Sequence, residues 1–162
     1  MYYKYIDLIQ KAINRFNNES DCISLIKCDV SERDLCAQLM CILKDELKQT
    51  EFSDYCVNIE YNRGMDGDLN KAKMIDNKLA VLDLVVHKII PDEDTGFNNL
   101  ICIEMKKEKR PAAEIQEDKD RLETLTDISK GFCYKAGFML LVCQDTNSDR
   151  FGLYIESEYE LH

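Results

Sequence analysis

Residues 99–107, NLICIEMKK, decide how this chain is read. Ile101, Ile103 and Met105 alternate with Cys102, Glu104 and Lys106, the period-2 pattern of a half-buried strand, so Glu104 and Lys106 point the same way. A carboxylate and an ammonium side by side in so apolar a strand are either surface decoration or part of a site. The upstream segment AVLDLVVHKII (80–90) carries a second polar intrusion, Asp83, among Val81, Leu82, Leu84, Val85 and Val86. Folding the two segments as a hairpin about PDEDTGFNN (91–99) puts the turn centre between Glu93 and Asp94. Symmetric pairing then sets Asp83 directly opposite Glu104. Opposed residues share a face, with Cβ atoms about 4.5–5.5 Å apart. Two half-buried carboxylates at that spacing repel unless a proton or a cation is shared. An oxygen-only donor set suits a hard divalent cation, Mg²⁺ or Mn²⁺. The same register sends Leu82, Leu84 and Val86 to the core with Ile101, Ile103 and Met105, and leaves Val85 on the floor of the site.

Outward from this hairpin the chain alternates helices and strands. Residues 2–16 read as a helix with Tyr5, Ile6, Ile9, Ile13 and Phe16 on one stripe; 22–28 (CISLIKC) fit either a short strand or a helix end. A second helix spans 31–48, with Ser31 as N-cap, Asp34 completing a capping-box-like pattern, and Leu35, Leu39, Leu43 and Leu47 on its apolar face. Strands are predicted at 54–62, 80–88 and 99–107, with a polar loop at 63–79. Pro111 opens a helix that closes at Gly131, and 134–143 and 150–157 are two further strands. Three successive strands suggest an antiparallel meander, after which the helix crosses to another strand. The expected fold class is α/β: a central mixed sheet flanked by helices, in one domain over 1–162.

With 162 residues, 45% hydrophobic and 32% charged, the chain is long enough to bury a core and too apolar to be disordered. No apolar run approaches the roughly 20 residues of a membrane helix, and the N-terminus lacks a signal peptide's apolar stretch. A cytoplasmic protein without membrane contact is expected. Eight cysteines, never as C-x-x-C, read as reduced and buried. The net charge of −10 opposes broad nucleic-acid binding, which ordinarily wants a basic surface.

An Asp in one strand, about twenty residues, then Glu-x-Lys in the next resembles the signature of the PD-(D/E)xK nuclease superfamily, the restriction-endonuclease-like fold, here in Asp83, Glu104 and Lys106. SERDLCAQLMCIL resembles the superfamily's leading helix, which places Glu32. NIEYNRG resembles the first core strand of small bacterial members, with Glu60, Tyr61 and Arg63. The resemblance covers about 31–143 as the core, with the helix 2–16 as an addition. It departs at Leu82, where the pattern has proline. Pro91-Asp92 is a literal PD, but it lies in the turn, at the far end of the hairpin from Glu104.

The resemblance implies a Mg²⁺-dependent (or Mn²⁺-dependent) nuclease acting on DNA ahead of RNA, with a homodimer possible. Asp83, Glu104, the Met105 carbonyl and Glu32 would hold the metal, with Glu60 a possible addition. Lys106 would act on the attacking water or the developing charge, and Lys119, Arg63 and Lys107 would meet substrate. The cluster Lys106, Lys107, Lys109 and Arg110 supplies local positive charge beside the site in an acidic molecule. His87, four residues beyond Asp83, reads as a packed or rim histidine. The alternative function is a nuclease fold without cleavage, serving nucleic-acid recognition or protein interaction in a defence or mobile-element system.

Overall fold

The computed structural model describes residues 2–65, 68–89 and 99–162; the turn at 91–98, with Pro91-Asp92, lies outside them. The chain opens with α1 (Tyr3–Asn18), α2 (Ser20–Lys27) and α3 (Glu32–Leu47). Helix α2 settles the ambiguity at 22–28: Cys22 and Ile26, four apart, are its buried residues, which is helical and not strand spacing. Ser31 caps α3 by accepting the Asp34 N–H at 3.2 Å. Strand β1 (Cys56–Tyr61) follows, then β2 (Arg63–Met65), β3 (Asp68–Ala72), β4 (Met74–Ile75) and β5 (Lys78–Leu79).

The expected loop at 63–79 is therefore two small antiparallel hairpins, β2 with β3 and β4 with β5. The second turns at Asp76-Asn77, both with positive φ (49° and 61°), the backbone that a two-residue hairpin with matching twist requires. Strands β6 (Leu82–His87) and β7 (Asn99–Lys107) come next, then α4 (Ala112–Thr126), β8 (Ala136–Cys143) and β9 (Gly152–Glu160). Helix α4 stops earlier than expected. A single 3-10 turn, Ile128–Lys130, intervenes before Gly131, whose φ of 78° makes it the terminating residue.

The central sheet is mixed, in the order β1-β6-β7-β8-β9. β6 and β7 pair antiparallel with Leu84 opposite Ile103 and Val85 opposite Cys102, so Asp83 and Glu104 are the residues next beyond the last pair of the ladder. β7 and β8 pair parallel, Ile101 with Ala136 through Lys107 with Val142, so α4 is the crossover between them. Alternation divides the apolar residues between two cores. Ile101, Ile103, Met105, Phe138 and Leu140 pack with α1, α2 and α3; Cys102, Met139 and Leu141 pack with Leu122 and Leu125 of α4.

One expected core assignment is corrected. Leu84 and Val86 join the first core, but Leu82 lies in the second, with Val85. Alternation fails because the ladder is irregular there. β1 pairs Ile59 with Leu84 and Tyr61 with Leu82, and the intervening pair, Glu60 with Asp83, is absent; Glu60 has a φ of +51°. A non-glycine residue rarely takes that backbone, and here it interrupts the ladder for one pair while the register on either side is kept.

Candidate active site

β7 runs past the start of β6, and its main-chain N–H groups there need other acceptors. Two carboxylates supply them. The Met105 N–H donates to Asp83 Oδ2 at 2.9 Å, and the Lys107 N–H donates to Glu32 Oε1 at 2.9 Å. A strand residue's N–H and C=O face the same neighbour, so the Met105 carbonyl lies on this edge as well.

Glu104 is 1% exposed. Its Oε2 lies 3.4 Å from the Asp83 main-chain N, and its Oε1 accepts from Arg121 Nη1 at 2.7 Å. Burial, and then the adjacent charge of Asp83, push its carboxyl well above the usual carboxylate range, against the pull of Arg121. On the same face, Lys106 Nζ forms an ion pair with Asp118 Oδ2 at 3.1 Å. Arg121 Nη2 is 3.3 Å from Asp118 Oδ1. Burial alone would lower the Lys106 ammonium, but Asp118 and the nearby carboxylates outweigh it and raise its pKa, which keeps it charged. Asp118, 4% exposed, is itself raised, by burial first. The α4 face of the sheet thus carries a closed network: Glu104, Arg121, Asp118, Lys106.

Glu32 sits on the other side of the strand end. With Arg33, Cys36, Glu60, Asp83 and Arg110 it lines a cavity of about 280 Å³. Its carboxylate is engaged by the Lys107 N–H and by Arg110 Nε at 3.3 Å, and Glu60 is paired with Arg33. Asp83 is the residue common to this cavity and to the Glu104 network.

The expected substrate residues are placed differently. Lys119 turns from the site to Glu156, 2.6 Å away. Lys107 is 8% exposed, with its Nζ 2.6 Å from Asp29 Oδ1; that bond, with those from Gln144 and Lys109, holds the Asp29 carboxyl well below the usual range. Arg63 starts β2, and its carbonyl accepts from Lys73 Nζ. His87 is fully buried, its Nε2 2.9 Å from Asn58 Oδ1 and its ring 4.2 Å from that of Tyr61; burial lowers it to about 4. It is a packed histidine.

The sequence reading missed Asp118 and Arg121. Asp118 lies three residues after Ile115 and four before Leu122, as good a stripe position as Lys119, and opposite charge to Lys106 was the available signal. It also missed Lys73, 1% exposed, with its Nζ 4.7 Å from the Tyr61 ring centre and 5.6 Å from that of Tyr134.

Among the described residues no group of three or more His, Cys, Asp or Glu side chains is arranged to hold a metal ion. The neighbouring oxygen donors are two carboxylates, Asp83 and Glu104, with Glu104 Oε2 beside the Asp83 main chain and Asp83 Oδ2 bonded to the Met105 N–H. Side-chain oxygens of this kind, one buried and one half-buried carboxylate that repel each other, are donors of the type a small divalent cation takes, with water or phosphate oxygens completing its shell. Glu32 shares the cavity with Asp83 while its carboxylate accepts from the Lys107 N–H and pairs with Arg110. Comparison with protein-family models, with curated proteins and with solved structures found no match to this chain. No helix among the described residues is long and apolar enough to cross a membrane.

Proposed function

We propose that this chain is a metal-dependent phosphodiesterase that cleaves nucleic acid, DNA in the first instance, with a restriction-endonuclease-like site. One observation carries the reading: a buried Glu104 set against Asp83 where β7 runs beyond its ladder with β6, with Lys106 two residues along on the same face. Asp83, Glu104 and the Met105 carbonyl would hold Mg²⁺ or Mn²⁺. Such an ion polarises phosphate oxygens and makes water more acidic. Lys106, kept charged by Asp118, would orient the attacking water or meet negative charge as it develops on phosphorus oxygens. Lys109 and Arg110, both exposed at the end of β7, lend local positive charge to an acidic molecule.

The test is a cleavage screen over plasmid, linear duplex, single-stranded DNA and RNA, with Mg²⁺ or Mn²⁺ against chelator, and Asp83→Asn in parallel. Metal-dependent cleavage lost in Asp83→Asn supports the reading. Bound Mn²⁺ with no cleavage of any substrate favours a recognition module built on the same fold. That second reading draws on the ion pairs that already neutralise Glu104 and Lys106.

A further inference from the structure

Arg121 stands between two acidic surroundings. On one side its guanidinium holds the buried Glu104 at 2.7 Å. On the other, with 30% of its side chain exposed, it borders a cavity of about 330 Å³ between α4 and the β4–β5 hairpin, lined also by Asp76, Glu117 and Asp120. Asp120 accepts from Gln116 at 2.7 Å, while Asp76 and Glu117 pair with no cation among the described residues. Lys78 is the other cation at this cavity. Three acidic residues and one lysine therefore line the cavity that Arg121 borders while its guanidinium holds Glu104.

We propose that Arg121 is an exchangeable counter-ion: it balances Glu104 while no divalent ion is bound, and swings into the Asp76–Glu117–Asp120 cavity when one enters between Asp83 and Glu104. The inference rests on the nuclease reading and gives that site its regulation. A charged Glu104 left beside Asp83 without a cation would be strongly unfavourable, and Arg121 is the guanidinium that supplies that charge directly. An ion drawing on the Glu104 carboxylate competes with the guanidinium that already occupies its Oε1. Arg121 is long, lies at the rim, and has an acidic place to go. Its second contact, with Asp118, is given up in the exchange, and Lys106 remains there to balance that carboxylate.

The experiment is Mn²⁺ titration of the whole chain by calorimetry, with a thermal-shift readout alongside. Arg121→Met removes the competing charge and should bind Mn²⁺ at least about tenfold more tightly than wild type, with lower thermal stability without metal and a larger metal-induced shift. Arg121→Lys, which keeps a cation, is the folding-safe companion and should bind between the two. Glu117→Gln with Asp120→Asn should weaken Mn²⁺ binding several-fold in wild type and leave it unchanged with Arg121→Met. A general electrostatic effect of the two carboxylates would persist in both backgrounds. Arg121→Met binding Mn²⁺ no more tightly than a wild type that does bind it overturns the exchange and leaves the nuclease reading standing. Absence of Mn²⁺ binding in all the proteins overturns both.

Discussion

Lys73→Met should make the protein more stable at neutral pH, and the gain should fade as the solution becomes alkaline. Lys73 is 1% exposed, and burial lowers its ammonium from 10.5 to about 8. Its compensation is the Arg63 carbonyl and the faces of Tyr61 and Tyr134. In the unfolded chain the same lysine titrates near its ordinary value. Between pH 8 and 10.5 the unfolded state therefore binds more protons, and stability rises with pH across that window. Below it the whole penalty is present. At 1.36 kcal/mol per pH unit, the lowering corresponds to about 3 kcal/mol. Methionine fills similar volume without charge but gives up the aromatic and carbonyl contacts, so a net gain of about 1–3 kcal/mol is expected at pH 7. Urea unfolding of both proteins at pH values of about 7, 8.5 and 10 gives the difference directly, with other titrating groups cancelling between them. A difference that does not change with pH, or a variant destabilised equally throughout, would refute the argument that Lys73 is held at a desolvation penalty.

Three further outcomes follow from the site and the frame around it. Mn²⁺ at a hundredfold excess over its dissociation constant should stabilise wild type by about 2.7 kcal/mol, and Asp83→Asn should lose that shift while remaining folded; equal shifts would place the ion elsewhere. Lys106→Ala should retain Mn²⁺ in calorimetry yet cleave on the order of 10²–10³ more slowly, and cleavage at the wild-type rate would end its catalytic role. Gly152→Ala should destabilise by about 1–3 kcal/mol in thermal unfolding, since φ is +119° and the added carbon would come within 2.6 Å of Asn17 Oδ1. Asn17 cannot easily yield, because it bonds both the N–H and the carbonyl of Leu153. An unchanged melting temperature in that variant would show that the junction of α1 and β9 relaxes.

The register of the central hairpin was legible because the two intrusions, Asp83 and Glu104, lie symmetrically about the 91–99 turn, and register is what a two-residue period fixes most firmly. Helix α3 was legible from Ser31 and its leucine stripe for the same reason: local chemistry and burial agree there. The partners on α4 were not. Asp118 and Lys119 sit equally well between Ile115 and Leu122, and only the rotation of the docked helix separates them. The β4–β5 hairpin was hidden in a polar stretch because its signal is two residues long, Asp76-Asn77, between strands of two residues each. Leu82 defeated strict alternation because Glu60 breaks the ladder beside it.

The parallel pairing of β7 with β8 gives the molecule a timetable. Asp83 and Glu104 come from neighbouring antiparallel strands, contacts that close over a short stretch of chain. Asp118 and Arg121 arrive with the crossover helix, and β8 fills the other edge of β7 only after that helix has passed. Long-range parallel contacts are the slower ones to form. A ribosome-bound chain emerging only as far as residue 110 holds the two carboxylates but has neither the counter-ions nor the strand that fixes Glu104 and Lys106 in place. The surroundings of Glu104 and Lys106 would be completed only once α4 and β8 have emerged, and a chain interrupted before them would lack Asp118 and Arg121.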